Sequence, residues 1–123
     1  FLLSVDAAHA LHPNYPDKAD PTNRPRLGKG LVLKQAASQS YVSDATAAAI
    51  VKSLCEANDI PCQTFANRSS IPGGSTLGAI ASARIGIRGQ AVGVPLLAMH
   101  SARETMAAAD QKALTRLIGA FFS

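Results

Sequence analysis

An α/β fold, with strands and helices alternating through one domain, follows from three features of the chain. Short apolar runs of strand length recur at Phe1–Val5, Leu31–Leu33 and Ile60–Phe65. Between and after them lie stretches whose apolar residues repeat with a helical period. Proline and glycine gather in the joints rather than inside either kind of element. That order predicts a largely parallel sheet with helices on both faces. Sheets of this kind bind ligands at the carboxyl ends of their strands.

The elements follow in order. Residues 1–5 read as a strand that delivers Asp6. From Asp6 to about Lys29 the chain reads as irregular, because Pro13, Pro16, Pro21 and Pro25 cannot sit in a helix interior or a central strand. So long a loop is usually functional or disordered, and His9 and His12 favour function. Leu31-Val32-Leu33-Lys34 is the next strand. Ser43 or Asp44 caps a helix to about Ala57, whose apolar face is Ala47, Ile50, Val51 and Leu54. Asn58-Asp59 ends that helix, and Ile60 to Phe65 is a short strand. Pro72-Gly73-Gly74-Ser75-Thr76 turns the chain into a helix over about Thr76 to Ala83. The first half of Ile85 to Leu97 holds a strand. A last helix spans about Ala102 to Phe121, with Ser101 as its cap and Leu114, Leu117, Ile118 and Phe121 as its apolar stripe. On this reading Asp6, Lys34 and Ser69 all follow strand-like runs, and His100 follows Pro95-Leu96-Leu97.

With 123 residues, 47% of them hydrophobic, the chain suffices for one folded domain with a modest core. Its apolar runs fall far short of the ~20 residues of a membrane span. The net charge of +4 is scattered, with only Arg24, Arg26 and Lys29 near one another, and aromatic residues make up 5%. Nucleic-acid binders carry a basic stripe, often with interleaved aromatics, so that class is set aside. Cys55 and Cys62 form no CxxC pair and read as reduced thiols of a cytoplasmic protein. Phe1-Leu2-Leu3, with no initiator methionine, reads as the interior of a buried strand, so the chain is expected to be a piece of a longer protein.

Asp6, His9 and His12 are spaced by three, and carboxylate with imidazole suits zinc, cobalt or manganese. The same residues also suit a turn-forming aspartate with two ordinary histidines. His100 lies just before the expected start of the last helix, as a metal ligand or as a histidine bonded to backbone, with Glu104 in the first turn. Lys34 is either a strand-end lysine reaching solvent or an ammonium for a substrate carboxylate, with Tyr41 nearby as a hydrogen-bond donor. The glycine turn at 72–76 offers amides to an anion but lacks the lysine of a P-loop.

The stretch Val5-Asp6-Ala7-Ala8-His9-Ala10-Leu11-His12-Pro13-Asn14-Tyr15 resembles the DxAHAxHPNY signature of the M18 aminopeptidases, the aspartyl aminopeptidase family. Lys29–Lys34 resembles its KGxVxK strand. Asn67-Arg68-Ser69 with Pro72–Gly78 resembles its glycine-rich turn, and Gly93–Ser101 its GxPxLAMHS segment. These motifs stand in family order and span nearly the whole chain. Three positions depart from the pattern: Ala19 after Lys18, Ser70 after Arg68-Ser69, and Ala91 before Val92.

The resemblance implies a cytoplasmic dinuclear metallo-exopeptidase that removes N-terminal, often acidic, residues from peptides. It implies two divalent metals, usually zinc, with cobalt or manganese as alternatives. Position by position, Asp6 and His100 match metal ligands, while His9, Lys34 and Tyr41 match residues that contact the substrate or the tetrahedral intermediate. His12 matches a histidine that supports a ligand. Residues 1–123 then correspond to the C-terminal portion of the catalytic domain. The remaining ligands, the general-base glutamate and the oligomerisation segment would lie in the rest of the same polypeptide. The only glutamates here are Glu56 and Glu104, and neither has an acidic neighbour. The implied partners are a peptide substrate and further copies in a homo-oligomer, such as a dodecamer. Two rival readings are an inactive structural fragment and a non-catalytic peptide-binding subunit.

Overall fold

A computed structural model describes residues 1–68, 70 and 73–123. Ser69 and Pro72, singled out above, lie outside the described residues. Four strands form one sheet: β1 (Leu2–His9), β2 (Leu31–Gln35), β3 (Cys62–Ala66) and β4 (Gly89–Leu96), in the spatial order β1-β4-β2-β3. β1 runs parallel to β4, and β2 runs parallel to β3. The join between the pairs, β2 to β4, is antiparallel. The sheet is therefore mixed, and the expectation of a largely parallel one holds only within each pair.

β1 is longer than expected. It pairs with β4 from Leu2–Gly89 to His9–Leu96, so Asp6 and His9 belong to the strand and the loop starts after them. Ala7 and Ala8 have small side chains that fit between sheet and cover, and Ala8 is fully buried. β4 carries Pro95 inside a central strand. Its even-numbered residues face β1, as in the bond from Ala10 N–H to Leu96 O at 2.8 Å. Pro95 therefore points its nitrogen toward β2, which has already left the ladder after Gly93, so no sheet bond is lost there.

Helices cover both faces, as expected. α1 (Ala45–Ala57) and α3 (Ala108–Phe122) lie over Leu31, Leu33, Val92, Val94 and Leu96. α2 (Leu77–Ile85) lies on the other face, where Gly78 sits against Ser4 and Val42. Asp44 caps α1 by accepting from Ala47 N–H at 2.7 Å. The buried stripe of α1 is Ala47, Val51 and Cys55, spaced by four, while Ile50 turns outward. At its far end Asn58 O accepts from Arg116 of α3 at 2.6 Å, which ties the two helices together.

The last helix begins later than its sequence suggests. Leu97 and Thr105 exchange two backbone bonds, at 2.9 and 3.1 Å, and fold residues 98–104 into a tight loop. Ser101 thus caps no helix, and α3 starts at Ala108. Its buried residues are Asp110, Ala113, Leu114 and Leu117. Asp110 ends the long loop before β2: its carboxylate accepts from Gly28 N–H at 2.7 Å and Gly30 N–H at 2.8 Å.

Candidate metal and substrate site

Asp6 and Lys34 face each other across the β4 strand. Asp6 pairs with Gly93, Lys34 pairs with Ala91, and both β4 residues leave the sheet surface nearly bare. The lysine chain lies over that gap and places Nζ 3.6 Å from Asp6 Oδ2. Nζ also donates to Ala7 O at 2.8 Å and stands 4.2 Å from the centre of the Tyr41 ring. Only 4% of Lys34 is exposed. Burial lowers its pKa, while the Asp6 carboxylate opposes that shift.

A cavity of about 190 Å³ opens above this pair. It gathers Asp6 and His9 from β1, Lys34 from β2, buried Tyr41 from the loop before α1, and His100 from the loop after β4. Thus Asp6, His9, Lys34, Tyr41 and His100 all meet, although they span 95 positions of sequence. β1 and β4 supply their carboxyl ends, as the strand-end rule expects. β2 runs the other way, and Lys34 joins the cavity across the sheet face by the length of its side chain.

Three of the assembled side chains have distinct environments. Burial, then the Lys34 ammonium, then His100 hold the His9 imidazole below its ordinary pKa, so it is neutral at pH 7. Tyr41 packs edge-on to Phe65, and its hydroxyl accepts from Asn67 Nδ2 at 3.4 Å. His100 sits in the left-handed region with φ 69°, and so does Ala98 with φ 55°. A carboxylate oxygen of Glu104 accepts from His100 N–H. Glu104 therefore fixes the strained loop instead of meeting a helix dipole.

His12 does not join the site. Its Nδ1 accepts from Asn14 N–H at 3.1 Å, and its ring lies 5.1 Å from that of Tyr15. Among the described residues no group of three or more His, Cys, Asp or Glu side chains is placed to hold one metal. One metal on Asp6, His9 and His12 is thereby excluded. Asp6 and His100 remain as a carboxylate and an imidazole opening on one cavity, a donor pair suited to zinc.

Sequence reasoning missed a neighbouring cavity of about 210 Å³, which shares His9, Tyr41 and Phe65 with the first. It adds Lys18, Asn67 and Arg68 to the lining. Its signals in the sequence were the departure at Lys18-Ala19 and the Asn67-Arg68 motif. A larger concavity, about 780 Å³, lies around Gln35, Ser38 and Asn67 and holds neither Asp6 nor His100.

A mixed α/β sheet that collects a carboxylate, imidazoles, an ammonium and a phenol at one cavity has the layout of part of an α/β enzyme domain. Residues 1–122 match the family described as aminopeptidase I zinc metalloprotease (M18), and the chain belongs to that family. It is 55% identical over 104 residues to "Probable M18 family aminopeptidase 2" of Clostridium novyi, which covers 85% of this chain and 24% of the relative. It is 43% identical over 122 residues to "Probable aspartyl aminopeptidase" of Ricinus communis, which covers 99% of this chain and 25% of the relative. Among solved structures it superposes on the Ape4 and Nbr1 complex with a TM-score of 0.94 at 38% identity, covering 98% of this chain and 23% of that one. It superposes on the yeast mApe1 dodecamer with a TM-score of 0.85 at 25% identity, covering 98% and 26%. The chain thus spans about a quarter of the length of the relatives it matches.

Proposed function

We propose that this chain is the C-terminal portion of the catalytic domain of a metal-dependent aminopeptidase that removes N-terminal, acidic residues from peptides. The carrying observation is the single cavity that unites Asp6, His9, Lys34, Tyr41 and His100. Asp6 and His100 would each hold one of two divalent metals, zinc by the family's description. When bound, such metals polarise a carbonyl and lower the pKa of water.

The chain's own residues have separate tasks. Neutral His9 carries one ring N–H, which it would donate to the scissile carbonyl oxygen as negative charge builds there. The Tyr41 hydroxyl, held by Asn67, is a second polar contact for the substrate. Lys34 has three N–H donors. One goes to Ala7 O and one faces Asp6, which leaves the third for the side-chain carboxylate of an acidic residue. Neither Glu56 nor Glu104 lines the cavity, which supports a general base supplied by the rest of the polypeptide, as the family resemblance implies.

The contribution of that remainder is supported by apolar exposure around the outer edge of β1. There Val5 and the α2 residues Leu77 and Ile80 are uncovered. Assembly of the parent protein as a homo-oligomer, such as a dodecamer, is supported by the dodecameric yeast neighbour. A cytoplasmic location rests on the family resemblance, and cell fractionation tests it.

Lys34→Met in the parent enzyme tests the specificity. The ratio of kcat/KM for Asp-leading over Leu-leading peptides is expected to fall by at least about tenfold, the loss of one charge-assisted contact. An unchanged ratio removes Lys34 from substrate recognition. An unchanged ratio with reduced bound metal favours the second reading, prompted by the 3.6 Å approach, in which Lys34 orients Asp6.

A further inference from the structure

Cys55 and Cys62 take no part in the site described above. Cys55 lies in the last turn of α1 and is fully buried. Cys62 opens β3, at the edge of the sheet, and remains partly accessible. The chain between them doubles back tightly. Asn58 N–H and Ile60 N–H both donate to Cys55 O, at 3.3 and 2.8 Å, and Asp59 takes a left-handed φ of 53°. Pairing with β2 then sets Cys62 opposite Leu31, against the same core that holds Cys55. Cys62 packs against the core cluster that contains Cys55, so the two thiols are neighbours there.

Their environments differ. Cys55 is fully buried, whereas Cys62 is partly accessible. The neighbouring Cys55 thiol also holds the Cys62 thiol down to about 7 against the cost of burial, with the Lys52 ammonium adding to the effect, while Cys62 and burial push Cys55 up. Cys62 is therefore the thiol that an oxidant reaches first, with Cys55 buried beside it.

We propose that Cys55 and Cys62 form an oxidisable dithiol, a modification site at which a hydroperoxide produces an intramolecular disulfide. The Cys62 thiolate attacks one peroxide oxygen, an S–O bond forms and the O–O bond breaks. The departing oxygen leaves as water, or as an alcohol from an organic hydroperoxide, after taking up a proton. The Cys55 sulfur then attacks Cys62 Sγ, expels hydroxide and gives its proton to it. The two thiols lose two electrons and two protons. Hydrogen peroxide, the oxidant, is reduced to two waters. The disulfide closes a loop of eight residues and pins the end of α1 to the edge strand.

The test uses the parent protein. Trypsin cuts after Lys52 and Arg68 and nowhere between them, so one peptide, Ser53–Arg68, carries both cysteines. After exposure to hydrogen peroxide, alkylation and digestion, that peptide is expected to carry no alkyl group and to be two hydrogens lighter, reversibly with dithiothreitol. Without oxidant, Cys62 is expected to alkylate at least about tenfold faster than Cys55 at pH 7. In Cys55→Ser, dimedone is expected to trap a sulfenic acid on Cys62, and in Cys62→Ser none forms on Cys55. Full alkylation of both cysteines after peroxide, or a sulfenic acid on Cys55, overturns the proposal. If a variant fails to fold, the wild-type peptide alone decides.

Discussion

Asp110 shows how one side chain can fix a distant loop. It is fully buried in the first turn of α3 and accepts two backbone N–H groups from the approach to β2. Asn has one acceptor oxygen, so Asp110→Asn would turn an amide N–H toward a backbone N–H. The variant is expected to lose about 3 kcal/mol, measured by denaturant unfolding of the parent protein. Asp20 organises the same long loop nearer the site. Its carboxylate accepts from Thr22 N–H at 3.0 Å, Asn23 N–H at 2.8 Å and the Thr22 hydroxyl at 2.9 Å. These bonds, that to Thr22 N–H foremost, hold its pKa at about 2. The folded value lies below the ordinary one, so the bonds are complete above pH ~4 and are lost as pH falls through about 2. Carboxyl NMR should give Asp20 a midpoint of about 2, with the Thr22 and Asn23 amides moving together. A midpoint near 4 would mean that the carboxylate does not hold this turn.

At the scale of elements, two glycines separate geometry from propensity. Gly30 enters β2 with φ 102°, and an added Cβ would collide with the Pro61 backbone before β3. Gly119 lies within α3 and has open space around it. Gly30→Ala is expected to unfold or strongly destabilise the protein. Gly119→Ala is expected to stabilise it by up to about 1 kcal/mol, because it removes backbone freedom from the unfolded chain. Paired thermal-unfolding scans check both signs. The elements also explain which sequence readings fell short. Alternation in β1 continues past Asp6 because the strand still has β4 beside it as far as His9. The start of α3 is delayed by a long-range bridge from Leu97 to Thr105, which no helical period reports. Ile50 fits a helical stripe, yet the buried line of α1 runs through Ala47, Val51 and Cys55, because helix rotation follows the sheet beneath.

At the scale of the molecule, the site is an assembly of segments more than ninety residues apart. Asp6 and His100 open on one cavity, and among the described residues no group of three or more His, Cys, Asp or Glu side chains is placed to hold one metal. Two donors are too few for a closed metal centre, which agrees with a chain that spans a quarter of its relatives. In the parent protein, Asp6→Ala and His100→Ala are each expected to lower the zinc bound per chain, read by mass spectrometry of the metal. Full metal content in both variants would remove these residues from the ligand set. His12→Ala is the control and should leave the metal content unchanged, because His12 bonds within its own turn.

The sequence by itself determined the alternation of strands and helices, a helix cap at Ser43 or Asp44 and, through the family motifs, the five candidate residues that line the cavity. Local chemistry carries those signals: short apolar runs, an acid before a helix, and motifs that survive as contiguous strings. The tertiary structure alone decided the antiparallel join of β2 to β4, the reach of Lys34 across the sheet, the late start of α3 and the packing of Cys62 against the core that holds Cys55. Each depends on which strand lies beside which, set by contacts between residues far apart in the chain. The exclusion of His12 from the Asp6 site belongs with them. A spacing of three places residues near one another along a chain, but His9 ends the strand and His12 lies beyond it in the turn.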